Sequence, residues 1–229
     1  MRSVNSTLRL VRSFVKRGGR TTAAQSKALE DLWPAFGVDS GTQTIEPDVL
    51  FGRLAPLTLE IGFGDGEALI HRAMNEPDRD FLGIEVHPPG VGHCLMLAEA
   101  QGLKNLKVMR QDAVEVLKQR LPDACLDEVL IWFPDPWHKK RHFKRRLLQE
   151  EFASLVASRL SSTGRLRFGT DWQPYAEHAL QVLSEHASYR NASPDGTYVT
   201  RPSDRLLTKF ERRGLRLGHG VWDLEFIRI

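Results

Sequence analysis

Between positions 60 and 67 the chain reads Glu-Ile-Gly-Phe-Gly-Asp-Gly-Glu, three glycines and three carboxylates in eight residues. Glycines at this density permit a tight turn and a close approach of backbone to a ligand, with Gly62 and Gly64 as the contact positions. The spacing departs from a dinucleotide-binding loop. That fingerprint, GxGxxG, would put its third glycine at 67, where this chain has Glu67. Asp65 and Glu67 at a helix start would also repel a pyrophosphate, which needs positive potential there. A cationic ligand without phosphate meets no such repulsion, and S-adenosylmethionine, with a sulfonium and an ammonium group, has that character. Two further acids fit it. Glu85 lies about 20 residues beyond the loop, at the tip of the next apolar run, a position suited to both hydroxyls of a ribose. Asp112 follows the third run and can accept a hydrogen bond from an adenine amino group.

A second constellation begins at Trp132-Phe133-Pro134-Asp135-Pro136-Trp137. Two prolines fix φ on either side of Asp135 and make a stiff turn that can hold a carboxylate against a substrate. His138-Lys139-Lys140-Arg141-His142-Phe143-Lys144-Arg145-Arg146 follows directly. His138 and His142 share the i, i+4 spacing of metal ligands, but no cysteine or carboxylate completes a set, so no metal is expected.

These residues need a frame that brings them together. LTLEIGF (57–63), DFLGIEV (80–86), NLKVMRQ (105–111), LDEVLIWF (126–133) and GRLRFGT (164–170) read as strands, and VWDLEFIRI (221–229) as a further one. Helical patterns cover 66–76, 90–101, 113–120, roughly 144–160 and 172–186. Alternating strands and helices predict a doubly wound α/β fold with a mainly parallel sheet and a C-terminal antiparallel strand. In such sheets ligands bind beyond the carboxyl ends of the strands, where the glycine loop and the acids fall. Residues 1–56, with breakers at Gly18, Gly19, Pro34, Gly37, Gly41, Pro47 and Pro56, read as an N-terminal extension, basic and expected to be mobile at its start; 57–229 read as the α/β domain.

The formal net charge is only +3 over 229 residues, but it is a sum of opposites. Six basic residues and no acid fall in 1–20, six more and no acid in 139–146, and six with two acids in 201–216; the other 185 residues carry 14 basic and 27 acidic side chains. Basic clusters on an acidic body indicate a polyanionic partner such as nucleic acid. No apolar run approaches a membrane span, and the first 20 residues lack the uninterrupted apolar core of a secretory signal. Two cysteines, Cys94 and Cys125, form no CxxC, and a cytoplasmic location is expected. At this level three classes compete. A small-molecule methyltransferase would share the glycine loop and the acids but has no use for KKRHFKRR. A non-catalytic RNA-binding protein would not need Glu60, Glu85 and Asp112 in register. A nucleotide-dependent dehydrogenase conflicts with Glu67.

The chain resembles the bacterial tRNA (guanine-N7)-methyltransferase family, known as TrmB, over essentially its full length. The resemblance rests on RSFVKRGGRTT, EIGFGDGE, FLGIEVHPPGVG, WFPDPWHKKRHFKRR, GTDWQPYAEH and TKFERRGLRLGHGVWDL. It implies a class I, Rossmann-like fold dependent on S-adenosylmethionine, with tRNA as substrate and the variable-loop guanine (position 46) as target; monomer and homodimer both remain open. It implies cofactor contacts at Glu60, Glu85 and Asp112, a catalytic and cofactor-side role for Asp135, and substrate binding by Lys139, Asp171 and Thr208-Lys209-Phe210-Glu211. Arg141, Lys144, Arg145 and Arg146 fall where the family contacts RNA. The residue between PDPW and KKRH is often Pro in the family and here is His138, which receives no role.

Overall fold

The computed structural model describes residues 12–14, 19–207, 211 and 220–229. Eight strands form one sheet: β1 (Gly37–Val38), β2 (Leu57–Ile61), β3 (Asp80–Ile84), β4 (Leu106–Met109), β5 (Leu126–Trp132), β6 (Leu160–Thr170), β7 (Tyr189–Asn191) and β8 (Trp222–Arg228). Their order is β1-β4-β3-β2-β5-β6-β8-β7. The first six are parallel; β8 runs antiparallel between β6 and β7. The chain winds outward from β2 through β3 to β4, then returns to the other side of β2 as β5. This reversal opens a crevice at the carboxyl ends of β2 and β5.

Helices cover both faces, which is why the central strands read as nearly continuous apolar runs. On one face α1 (Ala23–Asp31), α4 (Glu67–Asn75) and α5 (Pro88–Ala100) pack on a core containing Phe81, Leu106, Val108, Leu69 and Leu95. On the other, α6 (Ala113–Gln119), α7 (Glu150–Arg159) and α8 (Gln173–Glu185) cover Leu59, Ile61, Leu82, Ile131 and Phe168. Two short helices, α2 (Trp33–Phe36) and α3 (Pro47–Phe51), complete the set. No helix among the described residues is long and apolar enough to cross a membrane.

Several elements depart from the sequence reading. Part of 1–56 joins the sheet: β1 adds to the edge at β4, α1 packs along α5, and Arg120 donates to the carbonyls of Asp39 and Gln43. The helix expected from 144 begins only at Glu150, because 140–145 form a 3-10 turn. Six cations in eight residues would repel one another at helical i, i+4 spacing. β6 follows α7 without a loop and begins at Leu160 rather than 164. Three-residue β7 was not anticipated; it is held by β8 alone.

The glycine loop after β2 is wedged against the start of α5. A Cβ on Gly90 would stand 2.1 Å from the Gly64 carbonyl oxygen, and one on Gly66 would stand 2.6 Å from Cys94 Cβ. Gly90→Ala therefore has to push backbone away from backbone. We expect a loss of about 1–3 kcal/mol in urea unfolding.

Candidate functional site

Beyond the carboxyl ends of β2 to β5 lies a cavity lined by Gly62, Glu85, Asp112 and Asp135 together with Ser13, Phe14, Trp132 and Phe133. Residues as far apart in sequence as Ser13 and Asp135 thus meet around one cavity. Gly62 (φ 75°) and Gly64 (φ 60°) both adopt left-handed conformations, and no atom lies within 4 Å of where a Cβ would stand on either. The loop thus leaves room that any side chain would fill, and only glycine holds that backbone without strain.

The acids of the cavity are tied to backbone. Glu85 accepts hydrogen bonds from Gly64 N (3.1 Å), Val86 N (2.6 Å) and His87 N (2.9 Å), so one carboxylate fixes the glycine loop to the end of β3. Asp112 caps α6, its Oδ1 accepting from Val114 N at 3.0 Å.

Glu60 stands apart from them. It is 3% exposed, on the β2 face opposite Leu59 and Ile61. Burial, reinforced by Glu128 and Asp65 and only partly opposed by Arg72, pushes its pKa up to about 8. A buried acid of this kind is suited to a cationic ligand, whose charge restores the carboxylate. Together with the open glycine loop, this acid-walled cavity fits an organic cation such as S-adenosylmethionine.

Asp135 is exposed at the cavity mouth. Its turn is bracketed by two non-glycine residues in left-handed conformation, Phe133 (φ 50°) and Trp137 (φ 48°). The strain is held locally. Phe133 N donates to Gly169 O, and Arg205 stacks 5.5 Å from the Trp132 ring and 5.4 Å from Phe133. Asp171 is exposed just beyond the end of β6, the neighbour of β5, and His138 meets Trp172 edge-on at 4.3 Å.

The basic run divides into two kinds of residue. Lys139, Lys140, Arg141 and Lys144 are exposed. Arg146, expected at an RNA surface, is instead 3% exposed: it donates to the carbonyls of Pro136 (3.0 Å) and Pro174 (3.1 Å) and stacks on Phe143 and Tyr175. It ties the Asp135 turn to α8 from below. Arg145 is half-buried and donates to the carbonyls of Arg12 and Phe14. Nothing in the run's composition separated the inward-facing arginines from the outward-facing ones.

Of the expected substrate loop, Thr208, Lys209 and Phe210 lie outside the described residues. Glu211 is 2% exposed and forms a two-point ion pair with Arg205 (2.7 and 2.8 Å), which also reaches Asp223 of β8 at 3.1 Å. Burial raises the Asp223 pKa, with Arg205 opposing it. Glu211 is thus tied to β8 through an arginine that the motif did not single out. Ser13 and Phe14 likewise received no site role, although they belong to the RSFVKRGGRTT motif, because the motif by itself does not say which distant cavity it joins. Among the described residues no group of three or more His, Cys, Asp or Glu is placed to hold a metal ion.

Comparison with known proteins agrees with this geometry. A family model described as "Putative methyltransferase" matches residues 54–224. The chain is 56% identical to a tRNA (guanine-N(7)-)-methyltransferase of Sodalis glossinidius (strain morsitans), covering 96% of this chain and 92% of that one. It is 55% identical to the protein of the same name in Escherichia coli (strain K12), covering 97% and 93%. In fold it resembles a 16S rRNA (adenine(1408)-N(1))-methyltransferase from Catenulisporales acidiphilia solved with its cosubstrate SAM, with TM-score 0.55 and 16% identity over 81% of this chain and 92% of that one.

The Glu60 environment carries a pH signature. Between about pH 4.5 and 8 the unfolded chain releases this proton while the native protein keeps it, so stability falls as pH rises across that window. Glu60→Gln should remove this part of the slope and stabilise the ligand-free protein at pH 8. Urea unfolding of both proteins from pH 5 to 9 measures it; identical slopes would show that Glu60 is not the titrating group.

Proposed function

The chain belongs to the tRNA (guanine-N7-)-methyltransferase family, and from that membership we propose that it methylates N7 of the variable-loop guanine, position 46, of tRNA in the cytoplasm. The observation that supports this most is the convergence of Gly62, Glu85, Asp112 and Asp135 on one cavity, with the exposed cations Lys139, Lys140, Arg141 and Lys144 on the segment that follows.

S-adenosylmethionine supplies the methyl group, carried on a sulfonium. Glu60 matches the cofactor's positive charge, Glu85 its ribose hydroxyls and Asp112 its adenine amino group, while the Gly62–Gly64 backbone leaves the room it occupies. Guanine N7 brings a lone pair and loses no proton, so the chain needs no general base. Its residues contribute alignment, worth up to roughly 7–11 kcal/mol for well-placed reactants, and a counter-charge for the base, which becomes cationic as N7 gains the methyl group. Asp135, held by its two prolines, orients guanine through the N1/N2 edge and faces that charge; Asp171 on the adjacent strand end shares the task. Lys139 and the Thr208-Lys209-Phe210-Glu211 loop hold the substrate, the last residue acting as the loop's anchor.

N7 faces the deep, narrow groove of A-form RNA, so the target base has to leave regular helix geometry before it can be aligned. Phosphate contacts from Arg141 and Lys144 offset the cost. Arg145 and Arg146 are not assigned this role, given their inward contacts.

Asp135→Asn should lower kcat by about 100- to 1000-fold while changing S-adenosylmethionine affinity less than threefold. Single-turnover methylation of tRNA lacking N7-methylguanosine, beside calorimetry, measures both; equal losses in the two would remove Asp135 from catalysis. Arg141→Ala with Lys144→Ala should weaken tRNA binding and reduce the slope of log affinity against log salt by roughly 1.5, about 0.7–0.9 per lost phosphate contact. A salt titration with unchanged slope would mark both residues as bystanders.

A further inference from the structure

One wall of the cofactor cavity has no regular structure of its own. Ser13 and Phe14 line it beside Gly62, Glu85, Asp112 and Asp135, yet residues 12–14 belong to no helix or strand. What fastens them is the segment that follows Asp135. Trp137 Nε1 donates to Ser13 O at 3.0 Å, Arg145 Nε to Arg12 O at 3.1 Å, and Arg145 Nη2 to Phe14 O at 3.2 Å. Three consecutive carbonyls are taken up by two side chains. Those side chains also brace each other, the Arg145 guanidinium lying 3.8 Å from the Trp137 ring centroid. A stacked, planar fork directs two fixed N–H groups at carbonyls two residues apart; a lysine ammonium has donors but neither that fixed spacing nor the stacking face.

We propose that Trp137 and Arg145 are positioning residues for the cofactor, seating residues 12–14 as a strap that forms one side of the S-adenosylmethionine cavity. The inference rests on that cavity being the cofactor site and assigns a cofactor role to an arginine in a run whose composition points to RNA. It links the two ligands physically: the turn that carries Asp135 toward the substrate also holds the cofactor's wall through Trp137. The strap contributes the apolar Phe14 to the cavity lining, with Arg12 placed 5.9 Å from its ring.

Three variants test it. Trp137→Phe keeps the ring beneath Arg145 and removes the indole donor. Arg145→Lys keeps the charge for RNA and removes the fork. Phe14→Ala leaves both fasteners in place and removes the wall. Each should weaken S-adenosylmethionine binding, measured calorimetrically on the full chain without tRNA, by about five- to tenfold. The tRNA dissociation constant measured without cofactor should stay within twofold, and KM should rise for S-adenosylmethionine but not for tRNA. A merely structural role would lower the melting temperature of the ligand-free protein without this split between ligands. Phe14→Ala, at a residue outside both hydrophobic core clusters, keeps the test decisive if Trp137→Phe folds poorly. Unchanged cofactor affinity in all three variants would overturn the strap, as would a loss of tRNA affinity alone in Arg145→Lys. Failure of the wild-type protein to bind S-adenosylmethionine would overturn the cofactor reading beneath it.

Discussion

Bringing a cationic cofactor to a polyanionic substrate forces opposite charges onto neighbouring surfaces, and the chain answers this with the carboxyl edge of a parallel sheet. Glu85 and Asp112, at the ends of β3 and β4, line the cavity beside the glycine loop, while Glu60 is buried within β2. Cations follow the next strand end and face outward. Asp135 stands between them. The near-neutral total charge is a result of this partition and carries little information by itself.

Arginines inside the fold keep the partition rigid. Arg72 joins α4 to Glu128 of β5 (2.6 Å), and Arg167 of β6 joins the same glutamate to Asp204 (2.6 Å). Arg205 then joins Glu211 to Asp223 and braces the strained turn before Asp135. Removing one member of such a buried set leaves an uncompensated charge, so each link is costly to break even where its net contribution to stability is modest. The helix after the glycine loop, the turn before Asp135 and Glu211 are therefore each held by one of these buried arginines.

The cofactor half of the site was legible because its signals are local. A glycine triplet after an apolar run, and an acid at each following strand end, can be read without knowing what packs where. The parallel core was legible for the same reason. Legibility failed where identity does not encode direction. Arg141 and Arg146 are the same residue type five positions apart, but one is exposed and the other buried against Tyr175. The two-residue β1 and three-residue β7 are too short to show a period, and their pairing depends on partners about 70 and 35 positions away. The helical pattern at 144–150 was overridden by charge repulsion and by the contacts of Arg146. Ser13 and Phe14 lie in the RSFVKRGGRTT motif, but their place at the cavity is set by distant donors that the motif does not name.

The antiparallel insertion of β8 has a consequence in the order of synthesis. β7 leaves the ribosome before β8 but pairs with nothing except β8, so that edge of the sheet waits for a later segment. Asp223, one of the two acids that receive Arg205, arrives on that same strand. A chain that already holds the glycine loop and the cations of 139–144 therefore still lacks the Asp223 partner of Arg205 and the last strand of its sheet.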